Sequence, residues 1–159
     1  MASRKHNNDA SAFTLHCAVP TVANRYLDNI SYIDTCEGLI TDDLGLLIMR
    51  MFYQYDCDFL ALDTNSIGMG VTDFLMTNRY DPMYEQYYPA LDFVNNSEMS
   101  ERCKVKGARK AIYSIKATAK FNHDACLNFR SAIQSGYLNL LINDQDCDEQ
   151  LLKIRGYSK

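Results

Sequence analysis

The feature that most constrains this 159-residue chain is a change of period about a third of the way along it. Leu44, Leu47, Ile48, Met51, Phe52 and Tyr55 recur at the spacing of one helix face. Directly after them, residues 57–62 (CDFLAL) form a short apolar run that reads as a buried strand. The run ends in Asp63, a stretch carrying Gly68 and Gly70 follows, and residues 71–76 then read as a short helix. Helix, strand, acid, glycines and helix in succession is the logic of an α/β fold. Thr41 is a candidate N-cap of the first helix, and Asp42 and Asp43 complement the positive end of its dipole.

The flanking segments extend this pattern. Residues 11–19, rich in β-branched and aromatic side chains and closed by Pro20, predict a strand. Residues 25–34 predict a second, joined by a turn at 20–24, which gives the sheet an antiparallel start. Residues 78–96 read as a long irregular excursion rich in tyrosine, with Tyr80, Tyr84, Tyr87 and Tyr88 beside Pro82 and Pro89. Long insertions of this kind are more often functional than idle. Residues 110–117 predict a strand, residues 122–135 a helix capped by Asn122 and stopped by Gly136, and residues 137–142 a last short strand. The tail, residues 146–154, has the pattern of an amphipathic helix.

Composition narrows the function classes. The length suits one domain with a sizeable core. No apolar run approaches the roughly 18 residues of a membrane span, and no secretory signal is visible, so nothing in the sequence points to a membrane anchor. The six cysteines, Cys17, Cys36, Cys57, Cys103, Cys126 and Cys147, show no short metal spacing and are expected to be reduced and mostly buried. His6, His16 and His123 stand apart from one another and from any cysteine pair, which argues against zinc.

Net charge is −4, which excludes a generic basic nucleic-acid binder, but the charge is unevenly spread. Arg102, Lys104, Lys106, Arg109, Lys110, Lys116 and Lys120 occur with no acid among residues 102–120. A local positive stripe on an acidic protein is the footprint expected where a phosphate backbone lies. Taken alone, the stripe slightly favours the plainer reading, a solvated loop and strand face.

Asp63 is the strongest candidate site residue. Ligands of open α/β sheets bind at the carboxyl ends of strands, and a carboxylate held there suits a magnesium ion. Gly68 and Gly70 would permit positive φ or close backbone approach. Local physics leaves a second reading open, in which Asp63 caps the following turn. Nucleotide binding is disfavoured, because the two glycines lack the third of a dinucleotide fingerprint and no Gly-Lys-Ser/Thr follows.

Residues 59–75, FLALDTNSIGMGVTDFL, resemble the second acidic motif of phage large-terminase nuclease domains: a strand-end acid, a glycine-bearing turn and a short helix ending like Asp73 and Leu75. Residues 88–91 (YPAL), residues 110–117 (KAIYSIKA) and Phe121-Asn122 with its helix resemble the same family in the same order. Residues 8–11 (NDAS) resemble the segment after the family's first acidic motif, so the likeness spans most of the chain.

The resemblance implies an α/β, RNase H-like mixed sheet flanked by helices, within a single nuclease domain fragment over residues 1–159 and without an ATPase domain. It implies an endonuclease that cuts concatemeric viral DNA during packaging in the cytoplasm of a bacterial host. Its cofactors would be two Mg2+ or Mn2+ ions, about 4 Å apart in such sites. Its partners would be double-stranded DNA and other motor components, the portal and the small terminase, with no membrane. Asp63 takes the metal-ligand role, and Asp9 matches a family acid near the site, with turn capping as its plainer reading. The family's first catalytic acid would lie upstream of Met1 and its third motif beyond Lys159; Asp144, Asp146 and Asp148 are better explained by a loop and helix start. The expectation is a core that does not cut efficiently alone, with strand edges left exposed. The alternative is a non-catalytic module, binding DNA through the stripe or a protein through the tyrosines.

Overall fold

A computed structural model describes residues 11–22, 24–64 and 68–140. The chain is a mixed α/β protein, as the alternation of periods predicts, and it divides into two compact units, Leu39–Phe121 and the combination of Met1–Gly38 with Asn122–Lys159.

In the second of these, β1 (Ser11–Pro20) pairs antiparallel with β2 (Tyr26–Cys36), with a register shift between Leu15 and His16. The turn is closed by the Thr21 N–H donating to the Arg25 carbonyl at 2.7 Å, with Asn24 in the left-handed region at φ 57°. Helix α4 (Ala119–Gln134) begins three residues before the expected Asn122 cap. Thr118 is the capping residue, its hydroxyl oxygen accepting from the Phe121 N–H at 3.2 Å. Gly136, at φ 70°, ends the helix as expected and leads into β8 (Leu138–Leu140), which runs parallel to β2. Ile30 is the one buried side chain of this unit among the described residues.

The larger unit carries the core. Helix α1 (Thr41–Gln54) buries Leu44, Gly45, Ile48, Met49 and Phe52. Thr41 is its first residue and not its cap; Ile40 holds the cap position with extended backbone and no side-chain bond. The buried stripe is rotated toward Gly45 and Met49, and Tyr55 is exposed. Helix α2 explains the rotation. It spans Gly68–Leu75, starting three residues before the expected 71–76, and sets Phe74 against Gly45. Gly70 gives close approach without positive φ: a Cβ there would meet Thr41 Cγ2 at 2.8 Å.

Strands β3 (Leu60–Asp63), β7 (Arg109–Ile115) and β6 (Leu91–Phe93) form an all-parallel sheet in the order β3-β7-β6. Leu62, Leu91, Phe93, Ala111 and Ile112 are buried in it. The expected irregular excursion is therefore ordered. It contains the antiparallel pair β4 (Arg79–Asp81) and β5 (Gln86–Tyr88), then β6, and next the short helix α3 (Ser97–Ser100). Strands of three residues are too short for a period to register.

The thiols depart from expectation. Cys17 and Cys126 are exposed, and Cys36, Cys57 and Cys103 are half-buried; all five are unbridged, and Cys147 lies outside the described residues. Of the methionines, Met49 and Met76 are buried, whereas Met69 is exposed beside Arg102.

Candidate functional site

Because β3, β7 and β6 are parallel, their carboxyl ends share one edge of the sheet. Asp63 is the last residue of β3, half-buried and in register with Ile115 at the end of β7. The ladder continues one step further: the Thr64 N–H donates to the Ile115 carbonyl at 3.1 Å. The Thr64 and Ser114 hydroxyls meet at 2.9 Å. Side chains alternate across a strand, so Thr64 leaves on the side of Ser114 and Asp63 on the side of Ile115.

Two asparagines after β6 complete this edge. Asn95 takes the place of a strand beside Ser114: its Oδ1 accepts from the Ser114 N–H at 2.8 Å and its Nδ2 donates to the Ser114 carbonyl at 3.0 Å. Asn96 caps α3 by accepting from the Met99 N–H at 3.1 Å, and its Nδ2 lies 3.5 Å from the Ser114 hydroxyl. An open depression of about 370 Å³ results, lined by Asn95, Asn96, Ser97, Glu98, Ser114 and Lys116. Asp63 does not line it, and its side chain leaves the sheet on the other face, with Ile115.

The basic stripe is divided by the fold. The Arg102 guanidinium donates to both Asp73 oxygens at 2.7 and 2.6 Å. Lys110 Nζ reaches Asp92 Oδ2 at 2.7 Å, the Ser100 hydroxyl at 2.6 Å and the Phe93 carbonyl at 3.1 Å. Arg109 donates to the Cys57 carbonyl at 2.9 Å and lies over the Phe52 ring. Lys104 donates to the Glu101 carbonyl at 2.9 Å. Lys106, Lys116 and Lys120 are exposed and form no ion pair among the described residues. Of these three, Lys116 alone lines the depression.

Asp92 was not foreseen as a structural acid. Burial alone would push its carboxyl up, but Lys110, the Ser100 hydroxyl and the Phe93 N–H together hold it below the ordinary carboxylate value. It clamps α3 onto β6. A serine and a lysine in contact suggest a nucleophilic pair, but this lysine is more than half exposed and bonded to a carboxylate. It is therefore a charged clamp and not a base. The capping signal of Asn96 was present in the sequence, as an asparagine ahead of Ser97 and Glu98; the Asp92 contact was not.

Asp9, Asp144, Asp146 and Asp148 lie outside the described residues. Among the described residues no three His, Cys, Asp or Glu side chains come together as a metal site. No described helix is long and apolar enough to cross a membrane.

No protein-family model matches the chain, no curated protein is detectably similar to it, and no solved structure matches it.

Proposed function

We propose that this chain is the acidic core of a metal-dependent DNA endonuclease of the phage large-terminase kind, built on an RNase H-like sheet and completed by further carboxylates. The observation that carries this reading is Asp63 at the carboxyl end of a strand in a parallel sheet, next to the end of β7. The chain order of an antiparallel hairpin, a helix and then parallel strands also supports it, with the hairpin and the β3-β7-β6 strands in separate sheets. In this reading Asp63 is one metal ligand, and Mg2+ or Mn2+ would supply the activation of water. The partner is double-stranded DNA in a packaging motor.

The test combines manganese binding, read by electron paramagnetic resonance, with cleavage of supercoiled plasmid, for the chain and for Asp63→Ala. The expected result is binding that Asp63→Ala abolishes, with little cleavage by either protein. Equal binding by both would sink Asp63 as a ligand. Cleavage that Asp63→Ala abolishes would keep the nuclease and overturn its incompleteness.

One surface favours the alternative of an interaction module. Tyr80, Met83, Tyr84 and Tyr87 are exposed around the β4–β5 hairpin, while the nearby Arg50 and Arg79 are engaged with Asp81 and with the Phe74 carbonyl. An aromatic surface whose cations are already occupied suits a protein partner better than a phosphate backbone.

A further inference from the structure

We infer that the depression at the carboxyl edge is a phosphodiester subsite, in which Lys116 pairs with one backbone phosphate while Asn96 and Ser97 orient it. The choice of DNA as the polymer rests on the nuclease reading; the chemistry of the subsite does not. Three donors converge on the depression with capacity to spare. Lys116 is exposed and has no ion pair among the described residues, Asn96 Nδ2 makes a single long contact at 3.5 Å, and the Ser97 hydroxyl is exposed. The floor is preorganised, because Thr64 fixes the Ser114 hydroxyl and Asn95 fixes the Ser114 backbone from both sides. A volume of about 370 Å³ admits a sugar–phosphate unit, at the lower end of ordinary ligand sites.

Glu98 sets the charge that is accepted. The lining holds one cation and one anion, so a singly charged diester is tolerated where a doubly charged free phosphate meets repulsion. The site therefore reads a chain phosphate in preference to a terminal or inorganic one.

Fluorescence anisotropy with a labelled DNA duplex, in EDTA and at several salt concentrations, tests this independently of any cleavage. Lys116→Gln is expected to weaken binding about 3- to 10-fold and to reduce the salt slope by about one. Lys106→Gln, equally exposed but outside the depression, should change little. Glu98→Gln should tighten binding and let inorganic phosphate compete, whereas phosphate should not displace DNA from the unaltered chain beyond its ionic-strength effect. Thermal unfolding checks that the variants remain folded. Equal losses in the Lys116 and Lys106 variants, no measurable duplex binding, or specific displacement by inorganic phosphate would each overturn the subsite. Loss of manganese binding in Asp63→Ala beside unchanged DNA binding in Lys116→Gln would overturn the subsite and leave the nuclease reading standing. The reverse pattern would do the opposite.

Discussion

Arg50 and Asp81 tie helix α1 to the β4–β5 hairpin through a largely buried ion pair. Both Nε and Nη2 of Arg50 lie 2.9 Å from Asp81 Oδ2, and the Asp81 side chain is 0% exposed. The remaining oxygen accepts from the Met83 N–H at 2.9 Å, and the Arg50 guanidinium also lies over the Tyr84 ring. A two-stranded hairpin is marginal by itself, so this pair helps to hold the tyrosine-rich segment, beside the Tyr53 hydroxyl on the Pro89 carbonyl and the Tyr53–Tyr88 stack.

Arg50→Met should therefore cost about 3 kcal/mol of folding stability, because it leaves the Asp81 carboxylate buried without its cation. Urea unfolding followed by circular dichroism measures this. A loss below about 1 kcal/mol, the range of an exposed pair, would show that the hairpin is anchored by something else.

Acid should destabilise the fold through two carboxylates. Burial alone would raise both Asp81 and Asp92. The donors around them outweigh it, Arg50 with the Met83 and Tyr84 N–H groups for the first and Lys110 with Ser100 and the Phe93 N–H for the second. Both carboxyls are thus held below the ordinary value of 3.8. With folded values depressed, the stability they contribute is complete above the unfolded value and is lost as pH falls through the folded ones. Thermal midpoints should stay flat from about pH 7 to 5 and drop below about pH 4, with a shallower drop in Asp92→Asn. Midpoints that hold constant down to about pH 2.5 would contradict the depressed values.

Gly45→Ala tests the contact between α1 and α2. The added methyl would sit 2.5 Å from Phe74 Cδ1 and 2.8 Å from Phe74 Cγ, inside the packed core. Overpacking of this kind costs about 1–3 kcal/mol, against a gain of about 1 kcal/mol from replacing a helical glycine. The net expectation is a lower unfolding midpoint in urea. A stabilised variant would mean that Phe74 shifts without cost.

Helix α1, strands β1, β2, β3 and β7, and the stop at Gly136 were legible because each rests on neighbours a few residues away. Helix starts were less so. Thr41 and Asn122 are both acceptable caps by composition, yet Ile40 and Thr118 occupy the cap positions. A cap is decided by which residue leaves the helical backbone, and packing settles that. The three-residue strands β4, β5 and β6 gave no period to read, and the exposure of Cys17 and Cys126 had no local signal at all.

The candidate site divides the same way. Asp63 at the end of an apolar run could be read directly, because strand, acid and glycine are adjacent in the chain. What the positive stripe could do was decided only in three dimensions. Arg102 finds Asp73 at a separation of 29 residues, and Lys110 finds Asp92 across neighbouring strands, so charges that look unopposed along the chain are neutralised in the fold. Local periodicity determines which segments become helices and strands, since those hydrogen bonds and side-chain faces span only a few residues. Which charges stay available for a ligand depends on distant segments meeting, and here the sheet order leaves Lys116 at the carboxyl edge beside Asn96 and Ser97.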